Sequence, residues 1–355
     1  MASVREPETE RPAAKRPGWR HIATRVFLLI LSGVSLYLLA PKLVSVLASW
    51  PQLKALKPAE FGLALLFEAM SYLSLWAMQR VALHTTSWFA VGTTQLASGA
   101  IGSIVPGGAA TAGAAAYRML TTAGVRSDDV ASGLAASTVA STATVFAMPL
   151  LALPAIIGGV GAPRGLLTTA YVGAAGFVAF AVLSAAAFGW DAPLLIVARS
   201  VRWLIQRVRR DSAADLPEHL LAQRDRMKQT FGRRWYVAVT GAVGKVGFDY
   251  LALVCCLAAV GARPHPSLVL LAYIAGALLA LIPVTPGGLG FVEAGLTGML
   301  TAAGVSAQHA LVSTLAYRVV SFWVPLPAGG IAYLLFRRRY GEPEAGDSST
   351  SSTVP

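Results

Sequence analysis

The sequence predicts an all-α fold, a polytopic transmembrane helical bundle with an inverted internal repeat and two broken, re-entrant helix hairpins. Three observations predict it. The chain is 55% hydrophobic and only 13% charged, with a mean hydropathy of +0.60. Apolar runs of roughly the 20 residues that span a bilayer recur along it, and one pattern of residues occurs twice. Helices suit so apolar a chain because they satisfy their own backbone hydrogen bonds.

The apolar runs divide the chain into five parts. Residues 1–20 are predicted to be a disordered cytoplasmic N-terminus, and 21–190 the first transmembrane half. Residues 191–234 are predicted to form a basic amphipathic helix and a cytoplasmic linker. The second transmembrane half follows at 235–336, and a basic stop and disordered tail at 337–355. The predicted spans and hairpin arms are 24–42, 59–83, 88–105, 109–123, 128–151, 165–190, 235–260, 268–283, 290–303 and 307–336.

An internal repeat relates the two halves. Pro106-Gly107-Gly108 recurs as Pro286-Gly287-Gly288, and the heptad at 119–125 (MLTTAGV) recurs at 299–305 (MLTAAGV). Both matches have the same spacing, so we interpret the chain as a duplicated unit of span, broken hairpin and span. Threading the spans from a cytoplasmic N-terminus makes the two hairpins open to opposite sides. Inverted repeats with interrupted helices are typical of alternating-access transporters.

The positive charge follows the membrane topology. The net charge is +12, which by itself is also typical of nucleic-acid binding. However, the basic residues are concentrated before the first apolar run, between Arg199 and Arg234, and at Arg337–Arg339. By the positive-inside rule these segments are cytoplasmic. We therefore predict a multi-pass protein of the cytoplasmic (inner) cell membrane, with both termini inside and no nucleic-acid partner. The amphipathic segment 193–210 suits an anionic lipid surface.

Two helix breaks are candidate binding elements. Proline removes a backbone donor and glycine permits unusual dihedral angles, and broken backbone inside a membrane needs protein or water around it. A helix that begins after such a break offers free N–H groups to an anion. The glycines concerned are Gly107, Gly108, Gly287 and Gly288. The alternative interpretation is that each break is a turn that serves only the packing of the helices.

Ionisable residues inside apolar runs are the other candidates, because a charge at the bilayer centre is unfavourable by about 2.5–3.5 kcal/mol. Lys245 and Asp249 are four residues apart and can pair on one helix face. Arginine suits phosphate, through bidentate hydrogen bonds. The alternative to a binding role is that these residues form ion pairs that only stabilise the fold. The full set is Glu68, Arg118, Lys245, Asp249, Glu293 and Arg318, with Tyr317 adjacent to the last.

These residues also carry a family resemblance. Residues 283–293 (PVTPGGLGFVE), Gly304-Val305 and Tyr317-Arg318 followed by Phe322-Trp323 resemble the lysylphosphatidylglycerol synthase transmembrane-domain family. That family is the flippase-like membrane half of the lysyl-lipid synthases, also found as stand-alone proteins. The resemblance implies that Glu293 and Arg318 are motif residues and that Arg118 is their counterpart in the first half. The sequence stops after Arg339 and a polar tail, without the aminoacyl-transferring domain of the synthases, so we do not expect an enzyme.

The expected function is that of a flippase-like transporter for a lipid with an anionic or phosphate-bearing headgroup. Arg118 and Arg318 are expected to hold the phosphate, with Glu293 balancing their charge or carrying a proton. Membrane lipids are the expected partners, and no cofactor or metal is expected, since Cys255 and Cys256 are adjacent rather than at ligand spacing. Two alternatives stay open. One is a transporter for small anions or other solutes, and the other is a non-transporting scaffold for a cell-envelope enzyme.

Overall fold

A bundle of helices makes up the protein. The computed structural model describes residues 56–105, 108–157, 159, 161, 163–189, 235–280 and 285–342, and within these ranges the regular elements are all helical, as predicted. They are α1 (Pro58–Ala82), α2 (Trp88–Ile104), α3 (Gly108–Thr122), α4 (Ser127–Ala147), α5 (Pro149–Ile157), α6 (Arg164–Gly189), α7 (Trp235–Ala259), α8 (Pro266–Ala280), a 3-10 turn (Pro286–Gly288), α9 (Phe291–Ala302), α10 (Ala307–Arg318), a π-helical turn (Val319–Trp323) and α11 (Pro325–Tyr340).

Within the described ranges, five helical segments are long and apolar enough to cross a membrane. A helix satisfies most of its backbone polar groups internally, and many large apolar side chains on α1, α6 and α11 remain exposed. In water such a surface would be unfavourable, whereas lipid covers it without loss. The five segments are Pro58–Ala82, Ser127–Pro154, Arg164–Leu183, Tyr236–Ala259 and Ala307–Tyr340. A multi-pass membrane protein is therefore confirmed.

The bundle is built around the pair α1 and α7, which make the most extensive contact between any two described helices. The Lys57 N–H donates to the Ala259 carbonyl at 3.3 Å, and the Ser71 hydroxyl donates to the Lys245 carbonyl at 2.8 Å. The start of α1 therefore lies at the end of α7, and the two helices run antiparallel. Gly241 makes the close approach possible, since a Cβ there would lie 2.7 Å from the Met78 side chain.

Two hairpins flank this pair. Over the described residues, the arms α2, α3, α8 and α9 have 17, 15, 15 and 12 residues, which is fewer than the roughly 20 that span a bilayer. The second break consists of left-handed glycines, with φ of 61° at Gly287, 68° at Gly288 and 83° at Gly290. It lies against the end of α2, because a Cβ on Gly287 would be 3.4 Å from the Ser103 carbonyl oxygen. Whether the arms are re-entrant stays a prediction.

The repeated heptads fold into the same turn. In both copies the helix ends with three backbone hydrogen bonds of matching pattern, for example Val125 N–H to Leu120 O and Val305 N–H to Leu300 O, both 3.1 Å. The glycine of each turn is left-handed, with φ of 86° at Gly124 and 92° at Gly304. The antiparallel packing of α1 and α7, the first described helix of each half, is the arrangement that inverted copies require. The inversion across a membrane stays a prediction.

The last predicted span, 307–336, falls within one helical segment, Ala307–Tyr340, and is confirmed. The segment contains a π-helical turn, Val319–Trp323, which directly follows Arg318 and joins α10 to α11. Proline lacks the N–H that a helix interior needs, and Pro325 and Pro327 occupy the first turn of α11, where that loss is tolerated. The π-helical turn was not predicted.

Several predictions lie outside the described residues. These are the first span at 24–42, the amphipathic helix at 193–210 with its linker, both terminal segments apart from 337–342, and the first break at Pro106 and Gly107.

Candidate functional site

A cavity of about 290 Å³ lies inside the bundle beside the α1–α7 pair. Five helices line it: α4, α7, α8, α9 and α10. Its wall is mostly apolar, but it includes one acid and two bases in a region where an unpaired charge is unfavourable. The polar residues that line it are Ser141, Thr142, Lys245, Asp249, Tyr273, Tyr317 and Arg318.

Asp249 is the centre of the first polar cluster. One carboxylate oxygen, Oδ2, accepts from Lys245 Nζ at 3.3 Å and from the Tyr273 hydroxyl at 2.9 Å. The other, Oδ1, accepts from the Tyr317 hydroxyl at 2.7 Å. Asp249 is 8% exposed, and a buried carboxylate needs such donors to remain charged. The predicted pairing of Lys245 with Asp249 on one face of α7 is confirmed.

Glu68 brings a second carboxyl group to this cluster from α1. It is 7% exposed and lies within interaction range of both Lys245 and Asp249. Its Oε2 atom is buried without a hydrogen-bond partner. Lys245 is the eleventh residue of the 25-residue helix α7, and Glu68 is the eleventh of the 25-residue helix α1. Because each helix is about 37 Å long, the cluster lies near mid-length of both, deep within any bilayer that they span.

The second polar cluster joins Arg318 to the second helix break. Arg318 Nε donates to Glu293 Oε1 at 2.8 Å, and its Nη2 donates to the Gly287 carbonyl at 2.9 Å. The guanidinium carbon also lies 4.5 Å from the centre of the Phe322 ring, in a cation–π contact. Arg318 is 8% exposed. A carbonyl released by the helix break thus finds a charged donor, which is how broken backbone is tolerated away from water.

The N-terminus of α9 is capped by a residue of the same helix. The Glu293 side chain turns back, and its Oε2 accepts from the Gly290 N–H at 2.5 Å, in the manner of the glutamate of a capping box. We expected this helix end to offer free N–H groups to an anionic ligand. One N–H group is thus already bonded, and anion binding by the others stays a prediction.

The structure brings together most, but not all, of the predicted site residues. Gly287, Gly288, Glu293, Tyr317 and Arg318 lie at or beside the cavity, as do Lys245 and Asp249. The expectation that Arg118 shares this cavity is not met, because its side chain is exposed on α3 and is not among the lining residues. Gly108 begins α3 with a φ of 43°, and Gly107 lies outside the described residues.

Tyr273 is a site residue that sequence reasoning missed. It is one hydroxyl in a strongly apolar helix, and in the fold it donates to Asp249. The signal was available, since a buried tyrosine hydroxyl requires a partner, but the partner lies 24 residues away on another helix. Ser141 and Thr142 on α4, which also line the cavity, were not predicted either.

The fold and the intramembrane charges define a polytopic α-helical membrane protein whose bundle contains a mostly apolar cavity with charged residues on its wall. Residues 23–329 match the family described as the lysylphosphatidylglycerol synthase TM region, and the chain belongs to that family. It is also similar to a UPF0104 membrane protein of Methanothermobacter thermautotrophicus, with 30% identity over 98 residues, and to one of Pyrococcus horikoshii, with 30% identity over 151 residues. These matches cover 28% and 41% of this chain, and 28% and 45% of the two relatives.

Proposed function

We propose that this protein is a flippase-like transporter that moves a lipid with an anionic or phosphate-bearing headgroup across the cytoplasmic membrane. The observation that carries the proposal is the cavity near mid-length of the central helices, which has Lys245 and Arg318 on its wall. A cavity with two cations on a mostly apolar wall suits a ligand that is anionic at one end and apolar at the other.

Arg318 suits a phosphate because it retains bonding capacity. Its contacts with Glu293 and Gly287 use the Nε and Nη2 groups, and guanidinium has five N–H donors in a planar fork. Lys245 adds a flexible ammonium whose side chain is 31% exposed. Together they can offer charge-assisted hydrogen bonds to headgroup oxygens.

The rest of the cavity suits the apolar part of a lipid. Val246, Ala277, Ala280, Val292 and Leu296 line it, and they provide contact surface without polar atoms that would need partners. The two walls formed by α4 and α8 make little direct contact with each other. In this proposal the charged residues bind the headgroup of the lipid, and the apolar residues contact its chains.

Reconstituted vesicles test this function. Wild-type protein should expose tail-labelled fluorescent phosphatidylglycerol to an external quencher faster than protein-free vesicles do, and faster than it exposes labelled phosphatidylcholine. Arg318→Lys should be partly defective, because an ammonium lacks the bidentate fork. Arg337→Lys is the matched control, since Arg337 is an exposed arginine at the end of α11 that pairs with Glu342. Equal rates for wild-type and protein-free vesicles would contradict the proposal.

The rival functions predict other results. A solute transporter would accumulate a small soluble anion in the same vesicles while labelled lipids stayed in place. A scaffold would do neither and would instead retain a cell-envelope enzyme during purification from native membranes. Native mass spectrometry adds a direct readout, because a lipid transporter should co-purify with anionic lipids. We propose no enzymatic step and no cofactor.

The proposed topology places both termini and the linker at 191–234 in the cytoplasm. The basic residues of Arg337–Arg339, which end α11, fit that side by the positive-inside rule. A cysteine placed at Asp215, in a variant lacking Cys255 and Cys256, should resist an impermeant thiol reagent in intact cells and react after lysis. Labelling in intact cells would overturn the topology, and the inverted repeat with it.

A further inference from the structure

The geometry points to a proton-binding site formed by the carboxyl groups of Glu68 and Asp249, where α1 and α7 cross. Ser71 follows Glu68 by one turn of α1, and its hydroxyl donates to the carbonyl of Lys245, one turn before Asp249 on α7. Because the two helices run antiparallel, Glu68 and Asp249 lie at the same level of the crossing. Two carboxylates brought together away from water repel each other unless one of them carries a proton. Glu68 Oε2 is buried without a hydrogen-bond partner, which a neutral carboxyl group tolerates better than a charged one.

Charge balance leads to the same conclusion. The cluster contains two carboxyl groups and one ammonium, that of Lys245, which contacts Asp249 Oδ2. The Tyr273 and Tyr317 hydroxyls both donate to Asp249, so Asp249 is the better stabilised carboxylate. Glu68 then remains as an uncompensated acid in a buried, apolar position, where neutralisation by a proton is favoured over a free charge.

The neighbours of Glu68 complete this account. Tyr72 lies one turn further along α1, Lys245 and Asp249 face Glu68 from α7, and Cys256 also interacts with it from α7. The hydroxyls of Tyr273 on α8 and Tyr317 on α10 approach through Asp249. Lys245 is the one cation among these neighbours. The other cation on the cavity wall, Arg318, has its own partner in Glu293.

Proton binding has a consequence for transport, and this step rests on the proposed function. With Glu68 ionised the cluster carries one net negative charge, which opposes an anionic headgroup beside Lys245 and Arg318. With the proton bound the cluster is neutral and the headgroup is accepted. Proton and headgroup therefore favour each other's binding, reciprocally. One proton enters with one headgroup, and both leave on the other side when Glu68 becomes accessible to water.

Infrared spectroscopy tests the proton site without any transport assay. Purified protein in lipid nanodiscs at neutral pH should show the C=O stretch of a protonated carboxylic acid in an apolar environment. Glu68→Gln should abolish that band, because glutamine replaces the acid at almost the same size. Glu60→Gln is the matched control on the same helix, in its first turn, and should leave the band unchanged. A band that survives in Glu68→Gln overturns the assignment.

A second variant tests the same proton site in case Glu68→Gln does not fold. Lys245→Met removes the one cation of the cluster, so both acids should become neutral and the band should grow roughly twofold. An unchanged band would overturn the charge-balance argument. Stabilisation of wild-type protein by Na⁺, without the band, would show that a metal cation neutralises Glu68 instead.

Vesicles with an imposed pH gradient separate this inference from the proposed function. Wild-type protein should move labelled phosphatidylglycerol faster along the proton gradient, and Glu68→Gln should lose that response. Absence of lipid movement by wild-type protein would contradict the proposed function alone, and the infrared band would still decide the proton site.

Discussion

Replacing Arg318 by glutamine separates the structural from the functional role of this arginine. In the fold it pairs with Glu293 and donates to the Gly287 carbonyl. Removing one member of a buried ion pair leaves an uncompensated charge, which destabilises by about 3–5 kcal/mol. Glutamine keeps an amide donor for these acceptors, so we expect the free energy of unfolding to fall by about 3 kcal/mol, near the lower end of that range. The single variant is thus expected to be less stable.

The double variant Arg318→Gln/Glu293→Gln removes the charge of both partners. Two amides can replace the ion pair, and the amide oxygen introduced at position 293 can still accept from the Gly290 N–H that Glu293 caps. We therefore expect its free energy of unfolding to lie within about 1 kcal/mol of the wild-type value. It should nevertheless retain far less anionic lipid, because the guanidinium fork is gone.

The assay is unfolding by SDS titration, followed by native mass spectrometry of the bound lipid on the same preparations. A stable double variant that retains anionic lipid as the wild type does would refute Arg318 as a headgroup ligand. A single variant as stable as the wild type would refute the ion pair as a structural element. A double variant no more stable than the single one would show that Arg318 stabilises the break through Gly287 rather than through Glu293.

Two further substitutions test the surroundings of this site. Gly287→Ala should lower the free energy of unfolding by more than the roughly 1–2 kcal/mol that a left-handed alanine costs, because its Cβ would also lie 2.5 Å from the Phe322 ring. The control Gly298→Ala, in open space within α9, should instead raise the free energy of unfolding by up to about 1 kcal/mol. Tyr317→Phe should lower the same free energy by about 1.5–3 kcal/mol, since it removes a hydrogen bond to the buried Asp249 carboxylate. SDS titration measures all three variants. A Gly287→Ala or Tyr317→Phe protein as stable as the wild type would contradict the corresponding contact.

The sequence was sufficient for the class of fold because the bilayer imposes the helix. Lipid supplies no hydrogen bonds, so an apolar run of adequate length has one local solution. The boundaries of α1, α2, α3 and α7 fall within two residues of the predicted ones. The final span was also predicted, but the π-helical turn inside it was not, because no residue pattern in 319–323 indicates where a helix widens to that form.

Predictions of the site succeeded where a local rule applied. Lys245 and Asp249 are four residues apart on one helix, so their pairing follows from helix geometry. The contact of Arg318 with Glu293 joins two helices across a turn, and no spacing rule gives it. Arg118 shows the limit of the reasoning, because a charge in a short apolar arm can face outward when the arm's end is close to water. Sequence identifies such a residue but not the direction of its side chain.

The crossing of α1 and α7 shows what divergence of a duplicated unit achieves. The spacing of the repeat makes Phe248 the counterpart of Glu68, and Leu65 the counterpart of Lys245. Each of these charges therefore has an apolar counterpart in the other copy. Two identical copies would bring charges of one sign together at the crossing, which repel strongly away from water, whereas here Lys245 contacts Asp249 and lies beside Glu68. The halves also differ beyond the crossing. The second contributes Arg318, held by Glu293, while α4 of the first contributes Ser141 and Thr142 to the cavity that Arg318 lines. In the proposed function, the second half therefore supplies the charges that recognise the headgroup, and α4 supplies an uncharged wall.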